Sequence, residues 1–264
     1  MRWIDAHCHL SDLRFEGRHG EVFAAAAQAG VGAFIMGGVE PAEWARQREL
    51  ARQSPRRIFP VYGIHPWFVD AHFNLGRAEL EAALSALPDW IAGPECVGAG
   101  EMGLDHGKKR NPGSRPLQRE VFERQITIAL AAKKPLVLHV VHAHEEAIEC
   151  LRAQGPYPHG GLVHAFSGSA ETAMRYLELG FTISVGGAVA QEKGYETLKR
   201  AVQKLPADRL VIETDCPAFG LEDPGCLPIF AKALGKLRKE SAESLLETSR
   251  QNLIQMFDLE PRLG

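Results

Sequence analysis

The chain has 264 residues, 45% hydrophobic and 24% charged, with a formal net charge of −3. These are ordinary values for a soluble globular protein, and they exclude a generally basic surface, so any attraction for nucleic acid has to be local to a site. No apolar stretch reaches 18 residues, no charged segment followed by an apolar run opens the chain, and the five cysteines form no C-x-x-C pair, so a cytoplasmic protein without a membrane span or disulfide framework is expected.

The first element is WIDAH, residues 3–7, which runs on through Cys8 to His9. Side chains alternate faces along a strand, so His7 and His9 share one face with Asp5 and can jointly hold a metal. The competing reading is a strand whose polar face meets solvent. EVFAAAAQAG (21–30) then has the 3.6-residue apolar period of a helix, with Gly30 as its stop. The strand AFIMGG (33–38) and the helix AEWARQRELARQ (42–53) follow. The third strand, IFPVYGI (58–64), leads directly to His65, and the fourth, VGAGEM (97–102), carries Glu101 at its close. After the helix LQREVFERQITIALAAKK (117–134), LVLHV (136–140) ends near His139 and GLVHAF (161–166) near His164. SAETAMRYLELG (169–180) reads as a helix capped by Ser169 and stopped by Gly180. FTISVG (181–186), the helix KGYETLKRAVQKL (193–205) and LVIETD (210–215), ending on Asp215, complete the series. LEDPGCLP (221–228) then leads into a helical tail that ends near Phe257.

Eight strands, each followed by helical sequence, predict one α/β domain over 1–264: a TIM-type (β/α)8 barrel with a C-terminal helical tail. A doubly wound open sheet is the competitor, but its Gly-rich phosphate turn is absent. In a barrel, chemistry sits where the strands end. His7, His9, His65, Glu101, His139, His164 and Asp215 all fall there. His19, His72, His106 and His159 fall in helices or loops and are expected in solvent. Desolvating so many polar groups costs several kcal/mol unless they are paired. His7, His9, His139, His164, Glu101 and Asp215 satisfy one another if they share two divalent cations (Zn, Mg or Mn) bridged by a carboxylate at roughly 3.5–4 Å metal spacing.

The motifs DAHCHL, GIHP, GEMGLD, PLVLH, HAFSGS and ETDCP, in this order over residues 5–217, resemble those of the TatD-related DNases, a branch of the amidohydrolase-like metal-dependent hydrolases. The resemblance implies a TIM-type barrel, a divalent metal centre and hydrolysis of phosphodiester bonds, with DNA or another phosphodiester as substrate. By motif match it implies that His7, His9, Glu101 and Asp215 hold one ion and Glu101, His139 and His164 the second. Two positions depart from the family pattern. Val141 stands where an Arg is usual, and Cys226 stands at the Asn of Asn-x-Pro, both expected beside the site.

Glu101 and Asp215 are the catalytic candidates, Asp215 as proton acceptor from water. His65, His142 and the basic residues Lys108, Lys109 and Arg110 of HGKKRNPGSR (106–115) are candidate substrate contacts. His142 and His144 open the helix after strand five, where solvent exposure is the competing reading. Asp105 is expected to brace the loop below Glu101. Ser167 and Ser169 lack a G-x-S-x-G frame and read as turn and cap residues. The same site can also serve hydrolysis of a small-molecule ester, lactone or amide. A binding module with a structural metal is a third reading, but six ligands exceed what one closed tetrahedral site needs. A monomer or weak homo-oligomer is expected.

Overall fold

A computed structural model describes residues 3–263. Eight parallel strands hydrogen-bond in chain order: β1 (Trp3–Cys8), β2 (Val31–Met36), β3 (Ile58–Tyr62), β4 (Gly98–Asp105), β5 (Leu136–Val141), β6 (Gly161–Val163), β7 (Phe181–Val185) and β8 (Leu210–Ile212). The ring closes beyond the last strand, where His9 N–H donates to Cys216 O (2.8 Å) and Asp215 N–H to His7 O (2.9 Å). The TIM-type barrel predicted from the strand–helix alternation is therefore observed. The strands are buried along almost their whole length, as expected when helices cover one face and the barrel interior the other.

The helices are α1 (His19–Gln28), α2 (Trp44–Gln53), α3 (Pro66–His72), α4 (Ala78–Ile91), α5 (Arg115–Ala131), α6 (His144–Gln154), α7 (Ala170–Glu178), α8 (Glu196–Val202), α9 (Leu227–Arg238), α10 (Ala242–Phe257) and α11 (Glu260–Leu263). Ser169 caps α7 by accepting from Thr172 N–H, and Gly30 and Gly180 take left-handed φ of +83° and +89° just past α1 and α7, as the sequence predicts. β3 is followed by two helices rather than one. The predicted tail consists of α9 to α11. Ile4, Ile35, Phe59, Val61, Val137, Leu162 and Val211 from six strands pack with Leu253, Phe257 and Leu259 of this tail in one buried cluster, so the C-terminal helices seal one end of the barrel. The opposite end, where the strands stop, stays open.

Two irregularities aim side chains at that open end. The register of β4 against β5 shifts between Ala99 and Met102, and Glu101 sits at the shift, inside β4 rather than at its close as the sequence suggested. A bulge of this kind redirects one side chain. Likewise the β1–β2 register shifts between Asp5 and Cys8, which breaks the simple alternation that put Asp5 with His7 and His9. Close packing here depends on missing side chains. A Cβ at Gly37, after β2, would lie 2.5 Å from His7 Cε1, and one at Gly103 would lie 2.0 Å from His139 O.

Candidate metal centre

Glu101 is the hub. It is 1% exposed, and imidazole nitrogens approach both its oxygens. Oε2 lies 3.1 Å from His7 Nε2 and 3.5 Å from His9 Nε2. Oε1 lies 2.7 Å from His164 Nε2 and 3.1 Å from both His139 Nδ1 and His65 Nε2. Asp215, at φ +55° after β8, places Oδ1 3.2 Å from His9 Nε2. The seven side chains that the sequence placed at the strand ends thus converge, and Glu101 divides the five histidines into two groups, one per oxygen.

The donor set fits divalent cations. His139 Nδ1 and His164 Nε2 lie 3.0 Å apart, and His7 Nε2 and His9 Nε2 3.3 Å apart, in direct contact. Neutral imidazoles meeting lone pair to lone pair repel, and protonating both rings of a touching pair sets like charges against each other. Nitrogen and carboxylate donors gathered around a cation remove both penalties. His7, His9 and Glu101, and separately His7, His164 and Asp215, each offer ligand atoms within 4.8 Å of one another.

The outer ring nitrogens decide which histidines can present a lone pair. His139 Nε2 lies 3.4 Å from Asp105 Oδ2, so a proton there donates outward and Nδ1 faces Glu101 as an acceptor. His164 turns Nδ1 toward Glu213 Oε1, 3.7 Å away, and Nε2 inward. His65 is arranged the other way. Its Nδ1 accepts from Trp67 N–H (2.9 Å), capping α3, so the neutral ring carries its proton on Nε2 and donates to Glu101 Oε1. Burial, with His139 packed alongside, lowers His65 to about 3 and keeps it neutral. His65 groups spatially with Glu101 and His139, yet its tautomer makes it a strut for the hub carboxylate. The sequence had it as a substrate contact, and it lines the cavity without being free to turn.

Burial acts to raise the Glu101 carboxyl, but His164, His65 and His7 outweigh it and hold the group well below the usual range. Burial is likewise outweighed at Asp215, where the bond from His9 comes first and lowers it. Asp5 behaves differently. Burial pushes its carboxyl up to about 8, against bonds from Thr214 and His7. It accepts from Thr214 N–H (2.8 Å), Thr214 Oγ1 and His7 N–H (3.3 Å). Asp5 ties β1 to the segment after β8, a correction to its expected place beside His7 and His9.

Asp105 braces as predicted: Oδ1 accepts from Gly107 N–H (2.7 Å), and Oδ2 faces His139 Nε2 and the indole N–H of Trp67. Sequence reasoning missed Glu213, fully buried and accepting from Ala165 N–H and Ser184 Oγ. Its signal was available, since it lies two residues before Asp215 in the predicted strand 210–215, where period-two alternation sets both on one face, although the observed strand ends at Ile212. It also missed Arg14, Trp67, Phe166 and Tyr195, which line a cavity of about 390 Å³ over the cluster.

Several expected contacts lie elsewhere. Lys108, Lys109 and His142 are exposed and are not among the described residues lining the cavity. The loop that carries Lys108 and Lys109 is anchored away from it, with Asp70 accepting from Asn111 N–H (2.9 Å) and Ser114 Oγ (2.6 Å). Arg110 is half-buried, its guanidinium 4.9 Å from the Trp67 ring centroid. His144 is half-buried against Tyr176 rather than in solvent, and only His159 of the four peripheral histidines is exposed. Val141 lines the cavity as expected, whereas Cys226 lies in a separate surface depression beside Ala25 and Ile229.

A family model described as TatD related DNase matches residues 4–258. The chain is 30% identical over 266 residues to the uncharacterized metal-dependent hydrolase YjjV of Escherichia coli (strain K12), with 98% of each chain covered. It is 30% identical over 267 residues to the 3′-5′ ssDNA/RNA exonuclease TatD of Edwardsiella piscicida, with 97% of this chain and 99% of the other covered. Among solved structures, the YjjV protein of Escherichia coli K12 superposes with a TM-score of 0.85 at 29% identity, covering 97% of this chain and 98% of that one.

Proposed function

This chain belongs to the TatD-related DNase family of metal-dependent hydrolases, and from that premise we propose that it hydrolyses phosphodiester bonds of single-stranded nucleic acid with two divalent cations. The observation that carries the reading is Glu101, whose two oxygens each meet their own group of imidazoles. His7, His9, Glu101 and Asp215 would hold one ion, and Glu101, His139 and His164 the other. Ions bound there lower the pKa of water and offset charge growing on phosphoryl oxygens.

The chain's own groups supply the remainder. Asp215 is held as a carboxylate beside His9 and takes the proton from the attacking water. His65 donates to Glu101 Oε1 and keeps the hub from rotating, Asp105 orients the ring of His139, and the Glu213 carboxylate stands 3.7 Å from the outer nitrogen of His164. Arg14 is the one arginine or lysine among the described residues lining the cavity, and, although ion-paired with Asp12 at 2.7 Å, it brings positive charge and remaining N–H donors to a phosphate. With Val141 in the wall, that charge comes from β1's side of the rim rather than from β5.

Metal-stripped protein refilled with single cations and offered single-stranded DNA, single-stranded RNA, a phosphodiester dye, a lactone and an amide tests the reading. Metal-dependent release of nucleotides from the strands is expected, while chelation leaves the fold intact because the buried barrel core supplies its stability. Turnover of the lactone or amide with none of either strand would overturn it in favour of a small-molecule hydrolase.

A further inference from the structure

The cavity over the cluster is flanked by two aromatic side chains that remain largely in solvent. Trp67 is 40% exposed and Tyr195 42% exposed, although large apolar side chains gain free energy by burial. Trp67 follows β3 and Tyr195 precedes α8 beyond β7, so they rise from opposite sides of the eight-strand ring. Both line the same cavity, as does Phe166. Trp67 is also held in place. Its indole N–H is bonded to Asp105 Oδ2, and its ring meets His65 edge-on at 4.8 Å between centroids. Such a ring loses little further freedom when a ligand docks.

Outside the metal cluster and its braces, the described lining offers few groups able to read the edge of a base. Asp12, Arg14 and Ser167 are the polar ones, and Asp12 and Arg14 are already paired, Arg14 Nη2 lying 2.7 Å from Asp12 Oδ2. The remaining wall is apolar or glycine. A pocket of this composition grips a planar ligand by its faces. We propose that Trp67 and Tyr195 form a stacking clamp for the nucleobase next to the scissile phosphate, giving affinity for single strands with little preference among bases. Bases paired in a duplex present no free faces to such a clamp, so it also selects against double strands. This inference rests on the nuclease reading above and adds the residues that recognise the substrate.

The test combines variants with abasic substrates. Tyr195→Ala and Trp67→Leu remove stacking rings, while Trp67→Phe keeps a ring and loses only the indole N–H. On an ordinary oligonucleotide, the first two should raise KM roughly 5- to 150-fold, the range for loss of one base–aromatic contact. On an oligonucleotide abasic at its last two positions, Tyr195→Ala should match wild type and Trp67→Leu should match Trp67→Phe, because no base remains to stack and the two Trp67 variants lack the same indole N–H to Asp105. Trp67→Phe should retain most of the affinity for the ordinary strand. A second readout is independent of turnover: a phosphorothioate-capped oligonucleotide added to the metal-loaded enzyme should quench the emission difference between wild type and Trp67→Phe. Equal losses on ordinary and abasic strands, or no loss on either, overturn the clamp while leaving the nuclease reading intact. Failure of metal-loaded wild type to cleave any strand overturns the nuclease reading first, and an absence of quenching then overturns the clamp as well.

Discussion

Asp105→Asn isolates the support behind one proposed metal ligand, His139. In the wild type, Oδ1 accepts from Gly107 N–H at 2.7 Å, and Oδ2 faces His139 Nε2 at 3.4 Å together with the Trp67 indole N–H. Burial acts against the anion here, but the bonds from His139 and Trp67 outweigh it and hold Asp105 well below the usual carboxylate range, so it is ionised at neutral pH. Asparagine is the same size but accepts on one atom only. If its oxygen keeps Gly107, its amide nitrogen confronts two N–H donors. If it flips, the loop after β4 loses its anchor. Either way a part-buried donor is left unmatched, at about 1–3 kcal/mol. The His139 ring also loses the charge that orients it and raises the basicity of Nδ1, a change that typically weakens metal binding 10–100-fold, or about 1.4–2.7 kcal/mol. The two ranges agree. Titration against a competing chelator should therefore give a metal dissociation constant raised about 10- to 100-fold, with turnover recovering as metal is raised. A dissociation constant indistinguishable from wild type refutes the assignment of His139 as a ligand braced from behind.

Glu101→Gln removes the charge shared by both groups, so metal content should fall and turnover with it; unchanged stoichiometry and normal rates would take Glu101 out of the site. Gly103→Ala sets a Cβ 2.0 Å from His139 O at a φ of +146°, which forces β4 from β5. A loss of more than about 4 kcal/mol in urea unfolding is expected, and a midpoint near wild type would show that the strands can separate cheaply. Burial lowers His144 to about 4, below its ordinary 6.5. The unfolded chain therefore takes up the proton first, so this contribution to stability is complete above pH 6.5 and is lost as pH falls toward 4. Melting temperature measured across that window should fall less steeply in His144→Gln, and parallel curves for the two proteins would rule the group out.

The architecture and the metal-competent side chains were legible in the sequence for a physical reason. A parallel barrel brings the ends of all its strands to one face, so a histidine or carboxylate at a strand end has its position decided by local periodicity alone. Glu213 was equally legible by that rule, two residues before Asp215. Local periodicity failed where the strands depart from regularity: Asp5 left the cluster because β1 shifts register, and Glu101 entered it from the middle of β4. Nor could it decide the roles of the histidines. His65 and His139 look alike in sequence, yet one accepts at Nδ1 from Trp67 N–H and donates inward, while the other turns Nε2 toward Asp105 and presents a lone pair. Those partners depend on which atoms meet across the barrel, as when His7 meets Glu101 from 94 residues away. The same holds for the mouth of the cavity. The run of Lys108, Lys109 and Arg110 is conspicuous in sequence but is tethered by Asp70 outside the cavity, while Trp67 and Tyr195, unremarkable in sequence, face the site together because β3 and β7 stand opposite each other in the closed ring.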